Sequence, residues 1–117
     1  MDYANEMAFA AVVGPPEREQ IVAASSYYRN PANALAEVAY MVDPAWRGLG
    51  LATLLHARIQ EYAAAHGVRS FTADVLPTNH AMLRVFQRGD HQTRVERRGG
   101  LLDVQMIFHR APAEVDP

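Results

Sequence analysis

Apolar positions change their period along this chain, and the changes divide it into elements. Met7 to Val13 is apolar without a helical period and reads as a strand, and Gly14-Pro15-Pro16-Glu17 then supplies a turn. Gln20 to Tyr28 is a second strand with β-branched and aromatic residues at its ends, broken by Asn30-Pro31-Ala32-Asn33. Leu35 to Val42 is a third strand, closed by Asp43-Pro44. Three strands in direct succession predict an antiparallel meander. The period then switches. Leu51, Leu54, Leu55, Ile59, Tyr62 and Ala63 recur at helical spacing, while Thr53, His56, Arg58, Gln60 and Glu61 fall largely on the other side. This predicts an amphipathic helix of about sixteen residues, with Gly67 suited to its C-terminal cap. Ser70 to Leu76 is a fourth strand, stopped by Pro77. Thr78 or Asn79 can cap a short helix running to Arg88, with Met82, Leu83, Val85 and Phe86 as its apolar contacts. His91 to Glu96 and Leu101 to Phe108 form a hairpin around Gly99-Gly100, and the tail from Ala111 to Pro117 is expected to fray. The order β-β-β-α-β-α-β-β predicts a single α+β (mixed α/β) domain, with helices on the faces of a mostly antiparallel twisted sheet.

Composition narrows the function classes. At 117 residues the chain is one domain, and no apolar run approaches the roughly 20 residues that cross a bilayer. Met1 to Phe9 carries acidic residues and no basic cluster, so it does not read as a signal peptide, and the cytoplasm is the expected compartment. Cysteine is absent, which excludes a disulfide scaffold, a thiolate zinc site and a cysteine nucleophile. All 11 basic residues are arginine, which removes Schiff-base lysine chemistry and a P-loop. A net charge of −2 argues against nucleic acid as the partner, and Arg94, Arg97 and Arg98 read as a solvated turn. The five histidines, at 56, 66, 80, 91 and 109, show no metal-ligand spacing, and no metal is expected. Of these, His80 is the one expected near the site described next.

The informative segment is Val42-Asp43-Pro44-Ala45-Trp46-Arg47-Gly48-Leu49-Gly50-Leu51-Ala52-Thr53. A strand ends, a short loop carries an arginine and two glycines, and the long helix begins. Glycines let a ligand reach the backbone, and the first helical turn offers unpaired N–H groups with a partial positive charge. Together they can seat a phosphate or pyrophosphate, with Arg47 at the rim. A glycine-rich turn before an ordinary helix is the plainer reading. A dinucleotide-binding turn, Gly48-x-Gly50-x-x-Thr53, lacks its third glycine and does not open a βαβ unit.

The segment Arg47-Gly48-Leu49-Gly50-Leu51-Ala52 resembles the Gln/Arg-x-x-Gly-x-Gly/Ala motif of the GNAT acetyltransferase superfamily. The resemblance extends from Met7 to Phe108. It takes in the strand Glu37 to Val42 and the strand-loop-helix Val75-Leu76-Pro77-Thr78-Asn79-His80-Ala81-Met82-Leu83. It implies acetyl-CoA as donor, with Arg47, Gly48, Leu49, Gly50, Leu51, Ala52 and Thr53 holding the pyrophosphate. It further implies a splayed gap between the strands ending at Val42 and Leu76. Backbone groups of Tyr40, Met41 and Val42 would pair with the pantetheine arm there and polarise the thioester. Asn79 would bond the CoA side of the cleft and Phe86 would lie near the thiol.

The implied chemistry is direct attack of a primary amine, possibly a protein lysine, on the thioester. An alkylammonium must first lose a proton, and Glu37 is the candidate base. Alternation groups Glu37 with Leu35, Ala39 and Met41, either on a solvent-exposed face or in a cleft with a raised pKa. The run Ala36-Glu37-Val38 looks like the base-bearing strand of the protein-lysine acetyltransferase branch, which favours the cleft. Three departures stand out. Phe86 occupies a position where many members carry a tyrosine acid, so the CoA thiolate would leave unaided. Gly89-Asp90-His91 replaces a common Gly-Phe. The chain opens at what looks like the family's second strand, so the acceptor lid is absent or supplied elsewhere, and the bare strand edge favours a homodimer. The alternative reading is a non-catalytic acyl-CoA-binding or regulatory GNAT module; a purely structural dimerisation domain would have no use for the Arg47 to Ala52 loop.

Overall fold

A computed structural model describes residues 5–109. The tail from Ala111 onward, expected to fray, lies outside the described residues. Six strands form one sheet: β1 (Glu6–Val13), β2 (Gln20–Arg29), β3 (Leu35–Val42), β4 (Ser70–Val75), β5 (His91–Arg98) and β6 (Leu101–Phe108). Two helices, α1 (Leu51–Ala65) and α2 (His80–Arg88), interrupt them. The sheet order is β1-β2-β3-β4-β6-β5. The first three strands are the expected meander, and β5 and β6 are the expected hairpin. The hairpin folds back so that β6, not β5, pairs with β4. Only β3 and β4 run parallel, and such a pair needs a crossover, which α1 provides.

Strand alternation decides which face is covered. Ala36 and Val38 of β3, Phe71, Ala73 and Val75 of β4, and Val104 and Met106 of β6 are buried and form one core with Ile59, Ala63 and Phe86. Both helices therefore lie on the same face of the sheet, α1 across the meander and α2 beside it. The opposite face carries Glu37, Ala39, Met41 and Asp74, all exposed.

Helix α1 departs from the expected stripe. Leu55, Ile59 and Ala63 are buried as the period requires, but Leu54 is 53% exposed and His56 only 2%. The two residues flank Leu55 by one helical step of about 100° on either side, so the period alone ranks them by polarity. The sheet takes the histidine side because His56 finds hydrogen-bond partners there, and Leu54 is left on the outer flank.

Candidate functional site

Strands β3 and β4 are in register at Leu35↔Ser70, Ala36↔Phe71 and Glu37↔Thr72, and no further. Beyond Glu37 the two strands diverge, so the β4 side of Val38 to Val42 has no strand partner. Into this fork opens a cleft of about 640 Å³. Its walls are the end of β3, the loop to α1, the first turn of α1, the end of β4 and one side of α2.

The loop is shaped by its own hydrogen bonds. Asp43 Oδ1 accepts from the Ala45 N–H (2.9 Å), and the Trp46 N–H reaches the Asp43 carbonyl (2.8 Å), closing a 3-10 turn at Pro44–Trp46. Gly48 and Gly50 then take φ of 79° and 81°, the left-handed region that favours glycine. A Cβ at either position would meet nothing within 4 Å, so the space above this backbone is open. Gly50 is the N-cap of α1 and offers no side chain; the first turn holds no acidic residue. The amides of Leu51, Ala52 and Thr53 thus begin the helix without a side-chain acceptor, at the positive end of its dipole.

Helix α2 is capped by a side chain. Asn79 Oδ1 accepts from the Met82 N–H (3.2 Å), so of Thr78 and Asn79 the asparagine takes the cap. The same asparagine also lines the cleft. Arg84 and Arg88, one turn apart on α2, join Arg47 on the cleft wall, and no carboxylate lines it. Among the described residues none of these three arginines has an ion-pair partner.

Of the residues singled out in the sequence, the cleft brings together Tyr40, Met41, Val42, Arg47, Gly48, Gly50, Leu51, Ala52, Thr53 and Asn79. Three lie elsewhere. Leu49 is exposed on the loop's outer side. Phe86 is fully buried, its ring 5.6 Å from that of Tyr40, and Met82 and Val85 present the apolar surface of α2 to the cleft instead. Glu37 is exposed on the uncovered face, at the last zipped pair of the fork. Sequence reasoning missed Arg84 and Arg88, whose i, i+4 spacing was a visible signal, and Trp46, which also lines the cleft.

His80 is exposed at the start of α2, between Asn79 and Ala81, which both line the cleft; a second histidine, His56, lies behind the cleft wall and is bonded to Tyr40. Its Nδ1 is hydrogen-bonded to the Tyr40 hydroxyl, and its Nε2 lies 2.8 Å from Nε2 of His91. His91 Nδ1 is 3.0 Å from Thr93 Oγ1, which donates to the Phe86 carbonyl (3.3 Å). Burial, and then the neighbouring His91, lower the His56 pKa to about 4; burial is also the main cause lowering that of His91. Burial pushes the Tyr40 phenol up. A side chain at Gly89 has no room, since its Cβ would sit 2.1 Å from His91 Nε2. Among the described residues no cluster of three metal-ligating side chains occurs, and no helix is long and apolar enough to cross a membrane.

A forked sheet with a bare, glycine-led helix start at its mouth is the arrangement the motif implied, and comparison with known sequences agrees. A sequence model described as "Acetyltransferase (GNAT) family" matches residues 2–90. The chain belongs to the GNAT acetyltransferase family. Among solved GNAT structures it resembles the GNAT domain of S. lividans PAT, with 28% identity and a TM-score of 0.78 over 92% of this chain. It also superposes on a cAMP-binding acyltransferase from Mycobacterium smegmatis (23% identity, TM-score 0.78, 99% of this chain). A third neighbour is a putative phosphinothricin N-acetyltransferase, at 24% identity and TM-score 0.63 over 77% of this chain. The last two likenesses speak for the fold alone. The chain spans 64% of the S. lividans domain, 35% of the mycobacterial chain and 65% of the third.

Proposed function

We propose that this GNAT chain is an acetyl-CoA-dependent N-acetyltransferase that moves an acetyl group to a primary amine, with protein lysine as the acceptor class to test first. The observation that carries the reading is the conjunction of the β3–β4 fork with open space over Gly48 and Gly50. Main-chain amides of Gly48 to Thr53 would hold the diphosphate, because left-handed glycines without Cβ atoms let oxygen atoms approach them. Arg47, Arg84 and Arg88 supply positive charge along the same wall, which suits a donor carrying several phosphates.

The pantetheine arm would lie along the unpaired side of β3, and a main-chain N–H among Tyr40, Met41 and Val42 would polarise the thioester carbonyl. The acceptor amine would enter from the uncovered face of the sheet, where Glu37 stands at the vertex of the fork. Glu37, directly or through one water, takes a proton from the ammonium. The amine nitrogen bonds the acyl carbon and gives its second proton to solvent water, the carbon–sulfur bond breaks, and CoA leaves as a thiolate that takes a proton back from solvent. Phe86 is buried and cannot donate a proton, so the thiolate departs without an acid from that position.

Calorimetry with acetyl-CoA, followed by release of free CoA with amines and lysine peptides, tests this reading. Glu37→Gln should lower kcat by 100-fold or more, on the order expected for loss of a general base, and leave donor affinity unchanged. Binding without turnover for any amine would reduce the chain to an acyl-CoA-binding module. No binding would remove the reading altogether.

A further inference from the structure

Four hydrogen bonds run in series from the cleft wall into the core: Tyr40 to His56, His56 to His91, His91 to Thr93, and Thr93 to the Phe86 carbonyl. With both imidazoles neutral, the form that burial favours, the polarity of the whole series follows from its last member. A carbonyl can only accept, so Thr93 spends its single proton on Phe86. Thr93 Oγ1 must then accept from His91, which places the His91 proton on Nδ1. His91 Nε2 is left as an acceptor, so His56 must donate from its own Nε2. His56 Nδ1 is then bare and can only accept, and Tyr40 donates to it. Every donor in the series is used, and both imidazoles are neutral, each in one tautomer.

The series also joins parts of the site that touch nowhere else in this manner. Tyr40 belongs to β3 beyond the fork, where the strand has no partner on its β4 side. His56 belongs to α1, on the turn directly after the amides of Leu51 to Thr53. His91 and Thr93 belong to β5, and Phe86 to α2. Gly89 leaves the two imidazoles their contact, because a Cβ there would lie 2.1 Å from one and 2.9 Å from the other.

We propose that His56 and His91 are positioning residues for the donor: their one-way hydrogen-bond series fixes the start of α1 against the free half of β3, and so holds the diphosphate seat and the acyl slot at a constant separation. This rests on the donor-cleft reading given above. Because the Tyr40 proton is turned inward to His56, Tyr40 does not replace the missing tyrosine acid; it serves as the strut between strand and helix.

The tautomers are read directly by nitrogen-15 NMR of the imidazoles at pH 7. The expected result is an Nε2 proton on His56 and an Nδ1 proton on His91. The reverse pair would overturn the proposal and would turn the Tyr40 proton toward the cleft. For the functional half, His56→Leu keeps the volume and breaks the series, and should raise the Kd for acetyl-CoA about tenfold. His56→Gln offers an acceptor and a donor side by side, and should bind within about twofold of wild type. Thr93→Val removes the terminal bond and covers the case in which His56→Leu fails to fold; it should raise the Kd in the same direction. A lowered melting temperature with unchanged Kd in His56→Leu and Thr93→Val would make the series merely structural and overturn the role. Failure of the wild-type chain to bind acetyl-CoA would overturn the donor-cleft reading and this role with it, while the tautomers would still report whether the series exists.

Discussion

Gly50→Ala separates stability from donor binding. Gly50 holds φ of 81°, where an L-residue costs about 1–2 kcal/mol. An added Cβ there meets nothing within 4 Å, so no clash is added to that cost. Each kcal/mol lowers the melting temperature of a domain of this size by about 4–8 °C, so the fall should be about 4–16 °C. The same methyl group stands in the space through which phosphate oxygens would reach the amides. If two amide–phosphate bonds are lost at about 1.5–3 kcal/mol each, the Kd for acetyl-CoA should rise by at least about 100-fold. Gly99→Ala is the internal control. Gly99 also has a left-handed φ, 59°, and no atom within 4 Å of an added Cβ, but it sits in the β5–β6 turn. Scanning calorimetry should show similar destabilisation of both variants, and titration calorimetry should show lost binding in one. If Gly50→Ala binds acetyl-CoA as tightly as Gly99→Ala does, the diphosphate does not rest on these amides.

Replacing Arg84 and Arg88 together with glutamine should weaken donor binding about tenfold at low salt and flatten its dependence on ionic strength; an unchanged salt slope would place the phosphates away from α2. Ser25 is buried on β2 and its hydroxyl has no partner among the described residues, so Ser25→Ala should leave stability unchanged or raise it by up to about 1 kcal/mol, and a clear loss in urea denaturation would mean that the hydroxyl is bonded. His56 sits near 4 in the folded chain against an ordinary 6.5, so between these values the unfolded chain binds the extra proton and stability is lost as pH falls. The loss from pH 7 to pH 5 should be roughly 1–2 kcal/mol larger in wild type than in His56→Gln, measured by urea denaturation at each pH.

The strands were legible because alternation is local: Ala36 and Val38 face in, Glu37 and Ala39 face out, and no distant residue is needed to see it. The loop at Arg47 to Ala52 was legible for the same reason, since glycine and arginine at fixed spacing carry their chemistry in one short segment. What escaped was set by long-range pairing. Nothing near Leu101 says that β6 rather than β5 will lie against β4. His56 and His91 are 35 residues apart, and each alone reads as an ordinary polar residue on a helix or strand. Helical periodicity cannot choose between Leu54 and His56 as flanks of Leu55; the partner across the core chooses. Glu37 illustrates a third limit. Alternation gave its face, but whether that face is covered depends on what packs there, which a strand does not encode.

Only three residue pairs stitch the meander to the remaining half of the sheet. The two half-sheets are otherwise tied through α1 and the shared core on one side. A molecule lying in the fork would bond to both edges at once and act as a brace across this seam. The chain would then be stiffest when loaded, and the unloaded form would hold its weakest joint where the reacting groups must be aligned.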